Sequence, residues 1–479
     1  MKKDNSSYTE VIKSSHFYSS RLAQLSEYLM DDEDMRNSQM SFTDKDINQF
    51  MSHFYDIEVN SWPVIISHKR VNEFKKLVKV FPVILDKAIN GFFKGDVKYF
   101  AKYLNVSEFI AELYFTSKVN HKELLMRYDA LYSSQKLKII ELNAGFTCGG
   151  WQLDLLLPQF KKFFSSFKKT TNWNLKFRSS LSGLFKLLAD SIFNMHGLNA
   201  NGKVLFYMVS HEFEGKKDLL ASFQEEYKKH AKNKLINAEL IFFNDFEKLH
   251  IDAEHIVKYD ERVVNSVVFS AAEEFNVPEE IYLRLVECYL AGTVYMPDSP
   301  LHILYGNKQL LPLLCEEGIM GLLETDEQKM VKEHFPWAHK LQSSQVEWNG
   351  KGYLLKQLLI DFKDDFVIKR SESYQGKDVF IGHFLDDDNW LQAINDHMDD
   401  PYWIVQQYFD PDPIVMADAR YGCGFYKPVW GIFDSGNSYA GCFVRAVEDN
   451  QSKGVINSSN GAMEFSVFEE QKIKNRLVL

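Results

Sequence analysis

The feature that most constrains the fold is an apolar strand that runs directly into polar oxygen donors. Residues 137–140 read Leu-Lys-Ile-Ile, and Glu141 and Asn143 follow at once. Because side chains alternate between the faces of a strand, Glu141 and Asn143 point to one face. Asp129, two positions after Arg127, adds a third oxygen donor. Magnesium prefers such ligands and usually shares its shell with phosphates, so the pattern indicates a metal–nucleotide site; the alternative is a polar strand end leading into a loop.

The composition excludes several classes of protein. At 479 residues, the chain has room for two or three domains with their own cores. Its formal net charge of -11 argues against general nucleic-acid binding. We find no run of about 18 apolar residues, so no membrane-spanning helix is expected. Five scattered cysteines and the lack of a secretory signal favour the reducing cytoplasm.

The order of elements predicts an α/β (α+β) protein with three parts. Residues 1–125 are mostly amphipathic and helical, without recognisable chemistry. Residues 126–300 hold the magnesium-type segment and then two buried strands, 203–209 and 238–243, whose spacing indicates a parallel βαβ unit, with a further strand at 266–269. Residues 301–479 alternate helices and strands.

Polar residues also end strands in the last part of the chain. Lys369 ends the strand 366–369, and a polar loop containing Gly376 follows, an arrangement that can hold nucleotide phosphates. Residues 406–408, Gln-Gln-Tyr, follow a buried strand and are typical of a hinge that presents backbone groups to a purine edge. The alternatives are a solvated lysine at a strand end and a strand end capped by core aromatic residues.

A late hairpin carries one more cation. Residues 431–433 and 442–445 are expected to form an antiparallel pair across a turn-rich segment. Arg445 on this hairpin is suited to neutralise developing phosphate charge. The alternative is a surface ion pair with Glu448 or Asp449.

Taken together, these segments resemble the ATP-grasp superfamily. The Arg127-x-Asp129 and Glu141-x-Asn143 segments and the glycines at 149 and 150 look like its magnesium segment, and the Lys369 strand looks like its nucleotide lobe. The order is reversed, because the Glu-x-Asn segment precedes the lysine strand. That order resembles the circularly permuted ATP-grasp proteins, and most closely the glutathionylspermidine synthase type, over roughly residues 125–465.

The resemblance implies roles for single residues and two cofactors, ATP and Mg2+. It implies magnesium ligands at Asp129, Glu141 and Asn143, ATP contacts at Lys308, Lys369, Gly376, Gln406, Gln407 and Tyr408, and stabilisation of the reacting groups by Arg127 and Arg445. Lys308 belongs to the segment Gly306-Asn307-Lys308, which looks like the opening of a helix.

The expected activity is an ATP-dependent carboxylate–amine ligation that forms an amide through an acyl-phosphate. The substrates would be a small-molecule or peptide carboxylate and an amine, which no residue identifies, and no nucleic acid or membrane partner is expected. Two alternatives stay open: phosphoryl transfer by a grasp-type fold, and a nucleotide-binding protein without turnover. The sequence does not determine the oligomeric state.

Overall fold

The computed structural model describes residues 5–41, 58–117, 119–146, 148–207, 217–268, 277–371, 378–419, 422–449 and 454–471. The α-helices are α1 (Asn5–Ser15), α2 (Ser20–Asp31), α3 (Glu33–Arg36), α4 (His68–Phe93), α5 (Val97–Leu104), α6 (Glu108–Thr116), α7 (Leu157–Ser165), α8 (Ser180–His196), α9 (Lys217–Ala231), α10 (Glu279–Leu290), α11 (Pro300–Ile303), α12 (Leu310–Leu313), α13 (Ile319–Leu322), α14 (Thr325–His334), α15 (Leu355–Asp361) and α16 (Asp387–His397).

The strands are distributed along the described chain. They are β1 (Val64–Ile66), β2 (Leu125–Ser133), β3 (Lys136–Ala144), β4 (Leu175–Phe177), β5 (Ala200–Tyr207), β6 (Leu235–Phe243), β7 (Leu249–Ile251), β8 (Val257–Tyr259), β9 (Arg262–Val263), β10 (Ser266–Val268), β11 (Ala338–Lys340), β12 (Gln345–Trp348), β13 (Lys351–Leu354), β14 (Phe366–Arg370), β15 (Val379–Ile381), β16 (Trp403–Gln407), β17 (Ile414–Asp418), β18 (Gly422–Ser435), β19 (Tyr439–Glu448) and β20 (Met463–Glu470).

A large sheet of eight strands forms the centre of the molecule. Its strand order is β1-β20-β19-β18-β2-β3, with β17 paired to β18 and β4 paired to β20. The predicted late hairpin is confirmed: β18 and β19 are antiparallel, with Gly431 opposite Phe443 and Val429 opposite Arg445. The large sheet therefore brings β2 and β3, from early in the chain, beside strands from its end.

Helix α4 packs on one face of the large sheet. Its apolar residues recur three and four positions apart, as an amphipathic helix requires. The Phe81 ring lies 5.5 Å from the Tyr128 ring of β2, and the Phe74 ring lies 6.1 Å from the Trp430 ring of β18. One hydrophobic cluster runs from the N-terminal helices through these strands to β20. The helical region predicted at residues 1–125 thus shares its core with the large sheet.

The small parallel sheet has the order β10-β5-β6. Strand β5 is followed by α9 and then by β6, which pairs parallel to β5, so the predicted parallel βαβ unit is confirmed. Strand β10, predicted at residues 266–269, also pairs parallel to β5. Residues 208, 209 and 269 of the predicted strands lie outside the described residues.

A separate sheet of four strands contains β14, the strand of Lys369. Its order is β11-β16-β14-β15, and it is antiparallel throughout. One face carries Phe366 and Ile368, which pack with Trp390 and Ile394 of α16 in a separate apolar cluster. Because side chains alternate along β14, Lys369 points to the other face. That face meets β3 of the large sheet, and the site lies between them.

Candidate nucleotide site

Strands β2 and β3 bring four of the predicted residues to one face. Asp129 lies opposite Glu141, and Arg127 lies opposite Asn143. Directly opposed residues of an antiparallel pair share a face of the sheet, and so do residues two apart on one strand. The sequence-based expectation that Glu141 and Asn143 share a face therefore agrees with the backbone register.

A register shift between Asp129 and Ala130 creates a bulge next to this face. Asp129 pairs with Glu141 and Ala130 pairs with Ile139, so Ile140 is the extra residue of β3. A bulged residue is left out of the ladder and can turn its carbonyl to another partner. The Lys369 Nζ donates to the Ile140 carbonyl at 2.6 Å, across 229 positions of sequence. The bulge thus joins the two sheets at the site.

Lys369 is a buried cation held at the back of the site. Its Nζ also donates to Gln406 Oε1 at 2.7 Å, and the residue is 7% exposed. Burial lowers the pKa of Lys369 to about 8, although the nearby Glu141 carboxylate acts in the opposite direction. The alternative of a solvated lysine at a strand end is wrong, because the side chain points into the protein.

Asp129 holds two arginines together. The Arg127 Nε and Nη2 donate to the two Asp129 oxygens at 2.7 and 2.9 Å, and the Arg445 Nη2 donates to Oδ2 at 2.6 Å. Burial raises the pKa of Asp129, but the charges of Arg127 and Arg445 outweigh it and hold the pKa below its ordinary value. The structure thus places Arg445 on Asp129, whereas the surface alternative paired it with Glu448 or Asp449.

Lys308 reaches the site from the segment before α12. Its Nζ lies 3.2 Å from Glu141 Oε1. Gly306 lets this segment approach β3, because a Cβ there would come within 2.8 Å of the Ala144 backbone nitrogen. The expected helix begins at Leu310, after Lys308, so the lysine precedes the helix and does not open it.

A cavity of 140 Å3 opens where these groups meet. Among its lining residues, Glu141, Lys369, Arg445 and Asp129 supply charge. Apolar side chains form the remaining walls, chiefly Leu131, Val367, Val379, Ile381 and Val429. Lys308, Arg127 and Asn143 are not among the described lining residues, although Lys308 contacts Glu141 and Arg127 contacts Asp129. The predicted loop residue Gly376 lies outside the described residues. The lining combines apolar walls with charged groups, as a ligand with an apolar part and an anionic part requires.

The predicted hinge lines the same cavity, but two of its backbone donors are already used. The Gln407 N–H donates to the Trp337 carbonyl at 2.8 Å, and the Tyr408 N–H donates to the Asp365 carbonyl at 2.7 Å. The Gln406 side chain is buried, and its Nε2 has no hydrogen-bond partner among the described residues. That amide is therefore the better candidate donor to a ligand.

The donor set suits magnesium in part. Glu141 is partly exposed and lines the cavity, and one or two carboxylates with substrate phosphates commonly suffice for this ion. Asn143 could offer only its Oδ1 to the ion, whereas its Nδ2, a donor, is buried and lacks a partner within the described part of the chain. Asp129 already accepts three charge-assisted hydrogen bonds. Among the residues described, no group of three or more histidine, cysteine or acidic side chains could hold a metal ion together.

Phe443 is a component of the site that sequence reasoning missed. The Arg127 and Arg445 guanidinium carbons each lie 5.6 Å from its ring centroid. The ring fits only because Gly431 and Gly150 have no side chain, since a Cβ there would lie 2.2 and 2.3 Å from it. A glycine inside a strand marks close packing, so Gly431 was the available signal.

Within the described ranges, the structure has no helix whose length and apolar character would let it cross a bilayer. The expected cytoplasmic location and the absence of a nucleic-acid partner stay predictions.

Comparisons with known proteins give a structural likeness only. No family model matches the chain, and no curated protein matches it. A putative gamma-glutamylcysteine synthetase from Methylobacillus flagellatus covers 83% of this chain and 87% of its own at 9% identity, but its TM-score of 0.28 supports no argument. A glutathione synthetase-like effector, GSS30 from Globodera pallida, covers 93% of this chain and 97% of its own, with a TM-score of 0.55 and 12% identity. The chain is therefore similar in fold to a glutathione synthetase-like protein, whereas the circular permutation and the glutathionylspermidine synthase type stay predictions.

Proposed function

We propose that the protein is an ATP- and magnesium-dependent carboxylate–amine ligase that forms an amide through an acyl-phosphate. The observation that carries this proposal is one cavity lined by Glu141, Lys369 and Arg445, which come from three separate regions of the chain. The fold likeness to a glutathione synthetase-like effector supports the same class of reaction. The general class rests on the likeness, and the residue roles rest on the cavity.

The two lysines would bind the phosphates of the nucleotide. A lysine ammonium has three N–H donors, and Lys369 uses two of them on Ile140 and Gln406. The third is left for a phosphate oxygen. Lys308 lies beside Glu141 and would bring a second positive charge to the same end of the ligand. These ammonium groups offset the negative charge that the phosphates bring into a low-dielectric site.

Glu141 and Asn143 would hold the magnesium ion, which would offset phosphate charge and orient the transferred group. Asp129 has a different proposed role, because its oxygens already bind Arg127 and Arg445. It would fix both guanidinium groups where charge develops. Preorganised donors of this kind stabilise a transition state without rearranging during the reaction.

The proposed reaction has two steps. A substrate carboxylate oxygen attacks the γ-phosphorus of ATP, and ADP leaves. The amine nitrogen then attacks the acyl carbon, phosphate leaves with the C–O bond electrons, and the nitrogen loses a proton. Arg445 would stabilise the oxyanion of the adduct, since its Nε is buried without a partner among the described side chains and the residue lines the cavity.

The test is magnesium-dependent ADP release with pools of carboxylates and amines, followed by mass analysis of the products. We expect an amide whose formation requires both substrates. Glu141→Gln should abolish turnover, whereas Glu254→Gln, at an exposed glutamate, should leave it unchanged. A phosphorylated product formed without amine would instead identify a phosphotransferase. ATP binding without turnover would identify a non-catalytic nucleotide-binding protein.

A further inference from the structure

A second and larger cavity, of 830 Å3, lies on the α4 side of the large sheet. Its lining includes Asp86 of α4, and His121 and Lys122 just before β2. Helix α4 packs on the face that carries Tyr128, whereas the next residue, Asp129, points to the opposite face. The sheet therefore separates this cavity from the nucleotide cavity. Its volume lies within the range of small-molecule sites, about 300–1,000 Å3.

A hydrogen-bonded cluster forms one wall of the second cavity. The Asp86 carboxylate accepts from the Tyr114 hydroxyl at 2.8 Å and from the Tyr305 hydroxyl, and it contacts His121 Nε2 at 2.6 Å. An ionised carboxylate only accepts hydrogen bonds, so Nε2 carries the hydrogen. No described residue bonds to the other ring nitrogen, Nδ1. Asp86 therefore fixes an imidazole whose Nδ1 is open to accept a hydrogen bond.

The remaining lining favours an anionic ligand. Three donors already surround the single lining carboxylate, Asp86, while Lys122 adds an ammonium group. The Nδ2 groups of Asn90 and Asn120 already donate to the Asp86 carbonyl and to Glu123 Oε1, and each has a second N–H. Phe115 and Val119 provide apolar surface beside them. Cationic and amide donors around a short apolar wall suit a small molecule that carries a carboxylate.

The cluster is connected to the nucleotide cavity through one short segment. Tyr305, which binds Asp86, lies three positions before Lys308, which contacts Glu141. Between them, Gly306 packs directly against the backbone at Ala144, at the end of β3. A ligand that shifts the Asp86–Tyr305 contact would therefore move the segment that carries Lys308.

We propose that the second cavity is a regulatory site for a small carboxylate-bearing metabolite, coupled to the nucleotide cavity through Tyr305. The coupling rests on the proposed nucleotide site, but binding in the second cavity does not. The ligand is distinct from the reacting carboxylate, which must reach the ATP phosphates on the opposite face of the sheet. A coupling of this kind is reciprocal, so each ligand changes the affinity of the other by one factor.

The first experiment titrates the full-length protein with succinate by calorimetry, with succinamide as the uncharged control. We expect succinate to bind and succinamide to bind much more weakly. Lys122→Gln should weaken succinate binding by about tenfold, the effect of losing one charge-assisted hydrogen bond. Lys351→Gln, at an exposed lysine of β13, should leave it unchanged. Equal binding of the two probes, no binding of succinate, or binding unaffected by Lys122→Gln would overturn the proposal.

The second experiment measures the affinity for a non-hydrolysable ATP analogue with and without saturating succinate. Succinate should change that affinity in the wild type. In Tyr305→Phe, which removes only the hydroxyl, the ratio of the affinities with and without succinate should be close to one while succinate still binds. A factor of one in the wild type would refute the coupling. Succinate binding in a protein that binds no nucleotide would refute the proposed function and leave the second site standing.

Discussion

Asp129 is a buried charge shared by two buried arginines, and its removal should be costly. Asp129→Asn keeps the size of the side chain but leaves Arg127 and Arg445 without a counter-charge. We expect the free energy of unfolding to fall by about 3–5 kcal/mol, the usual cost of breaking a buried pair. Urea denaturation measures it. Asp410→Asn, at an exposed carboxylate paired with Lys427, should change it by about 0.5 kcal/mol or less.

The ion pairs of Asp129 with the two arginines also predict that the stability of the fold falls at acid pH. The arginines hold the pKa of Asp129 below its ordinary value of 3.8. Its contribution to stability is therefore fully present above that pH and is lost as the pH falls through the pKa of the folded state. Equal losses of unfolding free energy in the urea denaturation of Asp129→Asn and Asp410→Asn would show that the arginines do not depend on this carboxylate.

The proposed binding of phosphate by Lys369 should weaken at alkaline pH. Burial lowers the pKa of Lys369 to about 8, so its ammonium form is lost as the pH rises through this value. The affinity for a non-hydrolysable ATP analogue should be constant below about pH 8 and fall by up to about tenfold for each further unit. Calorimetry between about pH 7 and about pH 9.5 measures this.

Lys369→Arg is the matched control for that measurement. Arginine keeps its charge over this whole range, so the variant should bind more weakly but without the alkaline fall. An equal fall in the arginine variant would assign the titration to another group.

At the scale of an element, β18 requires a glycine where the Phe443 ring crosses it. Gly431→Ala would place a Cβ 2.2 Å from that ring and should displace Phe443 from between the two arginines. We expect a loss of about 1–3 kcal/mol in the free energy of unfolding, typical of overpacking. The midpoint of urea denaturation measures it.

Gly352→Ala in β13 is a matched control, because a Cβ there meets no atom within 4 Å. Its effect should stay within about 0.5 kcal/mol. Similar losses in both variants would attribute the effect to glycine in strands generally and not to the Phe443 contact.

Several elements could be predicted from local sequence. Strands β5, β6 and β14 each contain a continuous apolar run, at 204–207, 240–243 and 366–368, and the hairpin of β18 and β19 is marked by turn residues. The bulge at Ile140 could not be predicted, because it depends on the pairing of β3 with β2 and not on the sequence of β3 alone. The hydrogen bonds that occupy the Gln407 and Tyr408 N–H groups could not be predicted either, because their acceptors are carbonyls distant in the sequence.

At the scale of the whole molecule, many described residues between Tyr18 and Met126 belong to the same hydrophobic cluster as residues of β18 to β20. The fragment 120–479 would therefore expose the apolar face of the large sheet that α4 covers. We expect this fragment to lack the cooperative thermal transition of the full chain, because it loses a large part of its core. A calorimetric scan of both chains tests this. A cooperative transition in the fragment would show that residues 120–479 fold without the predicted N-terminal part.

The sequence by itself determined which residue types are present at the strand ends, because period-two alternation and turn residues are local properties. It was enough to select Glu141, Lys369 and Arg445 as candidates. Only the tertiary structure decided their partners: Lys369 on the Ile140 carbonyl and Asp129 between two arginines. The physical reason is that hydrogen bonds and desolvation act through space. Residues 229 positions apart meet only after the sheets have paired, and their charges are set by that burial.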